Sequence, residues 1–148
     1  MRIYIDNCCF GRPFDNQEFL RISLETQAIL AIQEQIKAGK LQLVTSYTLH
    51  YENDQSPLEI RKNTVKKFLK KYSSTYVSIE SAELIAAKAE EFISAGVKDY
   101  DAYHVASAIV AECDYFLSVD DRLLKHTSDE IILINPVDFL KVLEGELK

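Results

Sequence analysis

The chain of 148 residues is poor in several residue types that mark particular classes of protein. It has only four glycines and three prolines, and no repeat or low-complexity tract, which excludes a collagen-like or Pro/Gly-rich disordered protein. Its three cysteines, Cys8, Cys9 and Cys113, are odd in number and include no C-x-x-C pair, so they predict no disulfide framework. The three histidines lie far apart and lack the ligand spacing of a zinc site.

Long hydrophobic runs are also missing. Asp6 follows only three hydrophobic residues, which leaves no room for the apolar region of a signal peptide. No stretch approaches the roughly 18 apolar residues that a membrane span needs. We therefore expect a cytoplasmic protein that does not contact a membrane.

The composition that remains is typical of a globular protein. Hydrophobic residues make up 47% of the chain and charged residues 27%, which is enough apolar material for one core. A chain of this length suits one domain and buries enough surface to fold without a disulfide or a structural metal. We predict a single domain over residues 1–148.

Short apolar segments alternate with segments of helical periodicity along the chain. Strands are predicted at residues 2–5, 41–44, 76–79, 115–118 and 131–133. Helices are predicted at residues 17–38, 46–52, 58–72, 81–96, 99–112, 120–126 and from 137 onward, with a loop at 10–16. This alternation predicts an α/β fold, in which a mostly parallel sheet of about four or five short strands has helices on both faces. Ligands of such sheets gather at the carboxyl ends of the strands.

Acidic residues lie at the positions that this rule singles out. Asp6 follows the first strand and Asp120 the fourth, whereas Glu52 and Asp101 lie near helix ends. Each acid alone has an ordinary explanation as a turn residue, a cap or a solvated side chain. Asp101, however, precedes the apolar segment 102–108, which offers no Arg or Lys to pair with it. A charge buried there costs several kcal/mol unless it is paired or bound to a metal.

Four motifs taken in order resemble those of PIN domains. They are a hydrophobic strand ending in Asp6, a serine-to-glutamate spacing from Ser46 to Glu52, the segment Asp101-Ala102-Tyr103-His104, and Ser118-Val119-Asp120. The resemblance covers essentially the whole chain, and the last two motifs are the specific ones.

The resemblance implies a metal-dependent endoribonuclease. Asp6, Glu52, Asp101 and Asp120 would be the catalytic residues, with Asp6, Asp101 and Asp120 as ligands of Mg²⁺ or Mn²⁺. Hard divalent ions prefer such oxygen ligands. The substrate would be single-stranded or structured RNA. The protein would act either as the toxin of a VapBC-type pair, bound by an antitoxin protein, or as a solitary ribonuclease. The resemblance also implies a homodimer, for which the apolar residues of the helix at 58–72 are candidates.

Neighbouring residues receive supporting roles or remain open. Many PIN domains follow the first Asp with Thr or Ser, whereas this chain has Asn7, whose amide can still donate and accept hydrogen bonds. Asp99 and Asp121 each adjoin a motif acid and are predicted as ligand, cap or spectator. We interpret His104 as a helix-packing residue with a satisfied ring.

A basic helix offsets the net charge of −6. Residues 61–71 carry six cations and no acid. Such a run is often a solvated face, but an acidic nuclease site also needs cations that hold the phosphates. We predict RNA contacts for Arg12, Lys66, Lys67, Lys70 and Lys71.

Two other interpretations stay open. One is a catalytically weak or inactive PIN-like module that binds RNA or a protein, which the presence of Asn7 allows. The other is a receiver-like α/β domain, which also ends its first strand with Asp but does not explain the motif from Asp101 to His104.

Overall fold

The computed structural model describes residues 1–147, with side chains to residue 145; residue 148 of the predicted domain lies outside the described residues. Five strands form one sheet in the order β3-β2-β1-β4-β5. All neighbouring strands run parallel, so the predicted α/β class with a parallel sheet is confirmed. The strands are β1 (Arg2–Ile5), β2 (Gln42–Ser46), β3 (Ser73–Val77), β4 (Tyr115–Leu117) and β5 (Ile132–Ile134).

The central strand β1 is covered on both faces of the sheet. Ile3, Tyr4 and Ile5 are all buried, although successive side chains of a strand point to opposite faces. Such a continuous apolar run is typical of a strand with helices on both sides. Ile3 pairs with Leu43 of β2 and with Tyr115 of β4, which brings the carboxyl ends of these three strands together.

Eight α-helices connect and flank the strands within the described residues. Gly39 and Gly96, with φ of 77° and 99°, follow α2 and α5, where a residue without Cβ ends a helix at little cost. Helix α2 packs against α8, and α5 against α6. The helices are α1 (Asn7–Gly11), α2 (Leu20–Lys37), α3 (Tyr47–Asp54), α4 (Glu59–Tyr72), α5 (Ala82–Ser94), α6 (Asp99–Val110), α7 (Asp121–Leu124) and α8 (Pro136–Leu147).

Two local predictions are wrong. The predicted loop at 10–16 is largely helical, because Asp6 caps α1 immediately after β1 and a 3-10 helix (Arg12–Phe14) continues it. The third strand begins three residues before the prediction, directly after α4. As an edge strand, β3 alternates partly buried and exposed residues and is rich in Ser and Thr, so its sequence lacks the apolar run of a central strand.

No helix in residues 1–147 combines the length and the apolar character that a membrane crossing requires.

Candidate active site

Asp6 lies where β1 enters α1, at the carboxyl edge of the sheet. Its Oδ1 accepts a hydrogen bond of 2.8 Å from the backbone N–H of Asn7. Its Oδ2 accepts hydrogen bonds from Ser118 Oγ (3.1 Å) and Cys8 Sγ (3.3 Å). The side chain is buried, and this burial is the main reason why the pKa of Asp6 is raised above its ordinary value.

Ser118 joins Asp6 to Asp120. Ser118 directly follows β4. Its hydroxyl donates a hydrogen bond to Asp6 and accepts one of 3.1 Å from the backbone N–H of Asp120. Asp120 caps α7, because its Oδ1 accepts the backbone N–H of Arg122 at 2.9 Å. The two acids predicted at strand ends therefore meet through one serine, since β1 and β4 are neighbours in the sheet.

Helix α6 presents Asp101 and His104 on one face, three residues apart. The His104 ring is fully buried. Its Nδ1 shares a hydrogen bond of 2.6 Å with the hydroxyl of Tyr4, and its Nε2 lies 3.0 Å from Glu52 Oε2. Tyr4 in turn hydrogen-bonds Ser46 Oγ at 2.7 Å. His104 thus has a satisfied ring, as interpreted from the sequence, and it also lies within the acidic cluster.

The acids share one electrostatic environment. Ligand atoms of Asp6, Glu52 and His104 all lie within 4.8 Å of one another. Burial and the charges of Asp6, Asp120 and Glu52 raise the pKa of Asp101 from 3.8 to about 6, although His104 opposes this effect. Asp101 and Asp120 also line one cleft of about 150 Å³. Asp6, Glu52 and His104 therefore form the tight group, and Asp101 and Asp120 line an adjoining cleft, from which Asp101 senses the charges of the other three acids.

The partly buried Glu52 is hydrogen-bonded to the buried ring of His104. Burial alone would raise the pKa of Glu52, but the hydrogen bond and charge of His104 outweigh it, so that this pKa is lowered. Burial alone would likewise lower the pKa of His104, yet Glu52, Asp6 and Asp101 raise it. This pairing favours an ionised glutamate beside a protonated imidazole.

Asn7 contributes an unpartnered acceptor. Its side-chain amide helps to lower the pKa of Glu52, whereas its Oδ1 is buried without a hydrogen-bond partner among the described residues. A buried polar atom without a partner costs free energy unless something outside the chain satisfies it. The side chain of Asn7 therefore lies beside Glu52 and leaves one buried acceptor without a partner in the described residues.

The donor set suits Mg²⁺ or Mn²⁺. Carboxylates and an amide oxygen are the ligands that hard divalent ions prefer. The Asp101 carboxylate accepts no hydrogen bond from the residues described, so its oxygens are available. His104 fits this set less well as a ligand, because both of its ring nitrogens already have partners.

Two predicted supporting acids stand apart from this cluster. Asp121 is exposed and forms a two-fold hydrogen-bonded pair with Arg21, at 2.7 Å for each bond. This partner lowers the pKa of Asp121 and engages both of its oxygens. Asp99 is exposed on the first turn of α6, where it lines a groove of about 440 Å³ formed mainly by tyrosines.

Arg12 is engaged within the chain. It binds Asp15 and Glu25, each at 2.9 Å, and Glu25 is buried with Arg21 and Asn135 as its other partners. Arg12 therefore neutralises a buried carboxylate, which leaves its predicted RNA contact without support from the geometry.

Four lysines of α4 point away from the core. Lys66, Lys67, Lys70 and Lys71 are exposed, and none has an acidic partner among the described residues. Val65 and Leu69 of the same helix are buried in the protein's own core. These two side chains are therefore not available for the dimer contact suggested for this helix, whereas Ile60, and Leu58 just before the helix, remain exposed.

Several polar residues around the acids were not predicted from the sequence as site residues. Ser118 hydrogen-bonds Asp6, and His104 hydrogen-bonds Glu52. Tyr4 hydrogen-bonds His104, and the charge of Arg61 helps to lower the pKa of Glu52. The spacing of three residues between Asp101 and His104 could have placed both on one helix face. Tyr4 gave no such signal, because a tyrosine in an apolar strand looks like a core residue.

No family model and no curated protein matches the chain. Solved structures do share its fold. A chain of the VapBC2 complex of Rickettsia felis, bound to a DNA fragment from its promoter, aligns with a TM-score of 0.58 at 11% identity, covering 91% of this chain and 98% of that chain. A chain of FitAcB from Neisseria gonorrhoeae gives 0.57 at 15% identity, with coverage of 90% and 97%. A chain of FitAB bound to the IR36 DNA fragment gives 0.55 at 14%, with coverage of 91% and 95%.

These likenesses establish the fold. The chain is an α/β protein whose all-parallel, five-stranded sheet matches the PIN-like fold expected from the sequence. At identities of 11% to 15%, residue roles cannot be transferred from these structures to this chain. The roles of the site residues are therefore argued from the geometry of the site itself.

Proposed function

We propose that the protein is a metal-dependent endoribonuclease that hydrolyses phosphodiester bonds in single-stranded RNA. Two observations support the proposal: Asp6 and Glu52 have ligand atoms within 4.8 Å of each other, and both, together with Asp120, raise the pKa of Asp101. Carboxylates that repel one another in this way are stabilised when a cation neutralises them.

Asp6, Asp101 and Asp120 would hold Mg²⁺ or Mn²⁺ in this site. A bound divalent ion supplies an activated water and offsets charge on the scissile phosphate. Ser118 keeps the carboxylate of Asp6 in place and also fixes the backbone next to Asp120, so a single hydroxyl orients two ligands.

Glu52 has a different role from the other acids. The hydrogen bond from His104 orients its carboxylate and keeps it ionised, so it can accept a proton from an attacking water. His104 is itself held by the hydroxyl of Tyr4, which acts on the proposed reaction only through this chain of hydrogen bonds.

Cleavage of a labelled single-stranded RNA tests the proposal. Wild-type protein should cut in Mg²⁺ or Mn²⁺ and stop when EDTA is added. Asp6→Asn and Asp101→Asn should each lower the rate by at least about 100-fold, because the amide keeps the shape but loses the charge that binds the ion. Asp99→Asn is the matched control and should cut like the wild type. Cleavage that survives EDTA would overturn the metal-dependent mechanism, and RNA binding without cleavage would favour the non-catalytic module.

We extend the proposal to a VapBC-type toxin with an antitoxin partner. The support is that the three similar chains belong to the complexes VapBC2, FitAcB and FitAB. The partner would be a small protein encoded beside this chain. Co-expression of that protein should yield a stable complex and suppress cleavage; cleavage unchanged in the complex would favour a solitary ribonuclease.

A further inference from the structure

Arg61 differs from the lysines of α4 in the direction of its side chain. It lies on the same helix face as the buried Val65 and the partly buried Phe68, four and seven residues further on. Lys66 and Lys70 lie on the opposite, exposed side. Arg61 therefore extends from the basic helix toward the interior rather than into solvent.

The guanidinium of Arg61 rests between α1 and the acidic site. Its Nη2 donates a hydrogen bond of 3.3 Å to the backbone carbonyl of Asn7. Its Cζ, Nη1 and Nη2 occupy the space beside Gly11 so closely that a Cβ added there would lie 2.6, 2.8 and 2.7 Å from them. Gly11 has φ of −79°, which any residue can adopt, so the contact with Arg61 is what favours glycine at this position.

Most donors of Arg61 are unused. A guanidinium has five N–H groups, and the carbonyl of Asn7 accepts one of them. The Nε is buried without a hydrogen-bond partner, and no carboxylate among the side chains described, up to residue 145, forms an ion pair with Arg61. The charge nevertheless reaches the site, since it contributes to the lowered pKa of Glu52. A half-buried cation with free donors beside a catalytic site is suited to an anion from outside the chain.

We propose that Arg61 binds a backbone phosphate of the RNA strand, on the side of the site formed by Asn7 and Glu52. This inference rests on the proposed ribonuclease function. Four carboxylates repel the phosphates on both sides of a scissile bond, so a substrate must find a cation close by. Arg61 contacts Asn7 and its charge acts on Glu52, and the exposed lysines continue from it for about 15 Å along the helix.

Gly11 offers an independent way to move Arg61. In Gly11→Ala the three heavy atoms nearest to the added methyl group all belong to the guanidinium, at the end of a flexible side chain that can move away. Alanine is also the better helix residue, so α1 itself should not be weakened. Gly11→Ala should therefore mimic Arg61→Gln in RNA binding while leaving the fold intact, and the two changes combined should have no larger effect than Arg61→Gln alone.

The test is binding of a labelled single-stranded RNA at several salt concentrations, in the Asp101→Asn background that should not cut it. Arg61→Gln should weaken binding about tenfold or more, because the phosphate no longer receives hydrogen bonds from a charged group. It should also reduce the log–log salt slope by about 0.7, the value for one neutralised phosphate of a single strand. Arg61→Lys should recover part of the affinity, since the charge remains without the forked geometry. Lys62→Gln, one position along and paired with Glu59, is the control and should change little.

The possible outcomes distinguish a failure of the Arg61 inference from a failure of the proposed ribonuclease function. Thermal unfolding of every variant establishes that it is folded at the temperature of the assay. If the wild type cuts RNA in Mn²⁺ but Arg61→Gln and Gly11→Ala bind with unchanged affinity and slope, Arg61 is structural and the inference is overturned alone. If these variants instead lose only the capture of a protein partner, the anion is a partner's carboxylate and the inference is again wrong. If the wild type neither binds nor cuts RNA, the proposed function itself fails.

Discussion

Replacing Asp101 with asparagine should stabilise the metal-free protein and remove most of its response to divalent ions. The pKa of Asp101 is about 6 in the folded protein against an ordinary value of 3.8, because burial and the charges of Asp6, Asp120 and Glu52 disfavour its ionised form. Asparagine keeps the shape of the side chain and removes the charge that these neighbours repel. The same charge is what a metal ion would use.

The size and the sign of the effect follow from proton binding. A pKa raised from 3.8 to about 6 corresponds to at most about 3 kcal/mol, at 1.36 kcal/mol for each pKa unit. Since Asp101 is partly exposed and its neighbours can relax, we expect about 1–2 kcal/mol. Below pH 3.8 the acid is protonated in both the folded and the unfolded state, so it costs nothing. The penalty grows as the pH rises toward 6 and is complete above it.

Thermal unfolding in EDTA measures this effect. At pH 7.5 Asp101→Asn should unfold about 3–8 °C above the wild type, and near pH 4 the two should coincide. Asp99→Asn is the matched control, because it also removes an acid from the first turn of α6, where a negative charge favours the helix by about 0.3–1 kcal/mol. Wild-type protein should then gain about 2.7 kcal/mol at a metal concentration 100 times the Kd, and Asp101→Asn much less. An Asp101→Asn protein less stable than Asp99→Asn at pH 7.5 would refute the shared-charge reasoning.

Four further results are expected. Glu25→Gln should lower the free energy of unfolding by about 2–3 kcal/mol in urea, because it leaves Arg12 and Arg21 without their buried carboxylate; a loss below about 0.5 kcal/mol would contradict this. Asp121→Asn should lower the free energy of unfolding by at most about 1 kcal/mol, since its pair with Arg21 is exposed, and should leave RNA cleavage within about twofold of the wild type. A strong loss of cleavage would show that Asp121 takes part in the active site. Reversing Lys66 and Lys70 to Glu should flatten the salt dependence of RNA binding by about 0.7 for each phosphate that is no longer bound, whereas an unchanged slope would mark a solvated face. Sedimentation at tens of micromolar should show a dimer, and a monomer alone would reject the predicted homodimer.

The sequence predicted the fold well because its strands carry an unusually plain signal. The run Ile3-Tyr4-Ile5 is buried on both faces, and a buried strand needs an uninterrupted apolar segment. The edge strand β3 was placed too late for the opposite reason. Its exposed residues need no apolar character, so the amino-acid composition does not reveal where α4 ends and β3 begins.

The acids of the candidate site were predictable, whereas their partners were not. Asp6 and Asp120 follow predicted strands of a parallel sheet, and these two strands prove to be neighbours, which brings both residues to one edge. Arg61 is different, because a cation in a basic helix looks like its solvated neighbours. Its guanidinium lies against α1, and the absence of a side chain at Gly11 leaves room for it there.

A hydrogen-bonded chain through the core explains how the sheet can hold an acidic site in a defined shape. Ser46 ends β2 and accepts the backbone N–H of Leu49, while its hydroxyl meets Tyr4 of β1. Tyr4 reaches His104 of α6, and His104 reaches Glu52 of α3. Each member of this chain comes from a different element, so a shift of α3 or α6 would leave a buried polar group unsatisfied at about 1–3 kcal/mol. The repulsion among the carboxylates is thus opposed by this network, which fixes Glu52 through His104 and ties α3 and α6 to the sheet.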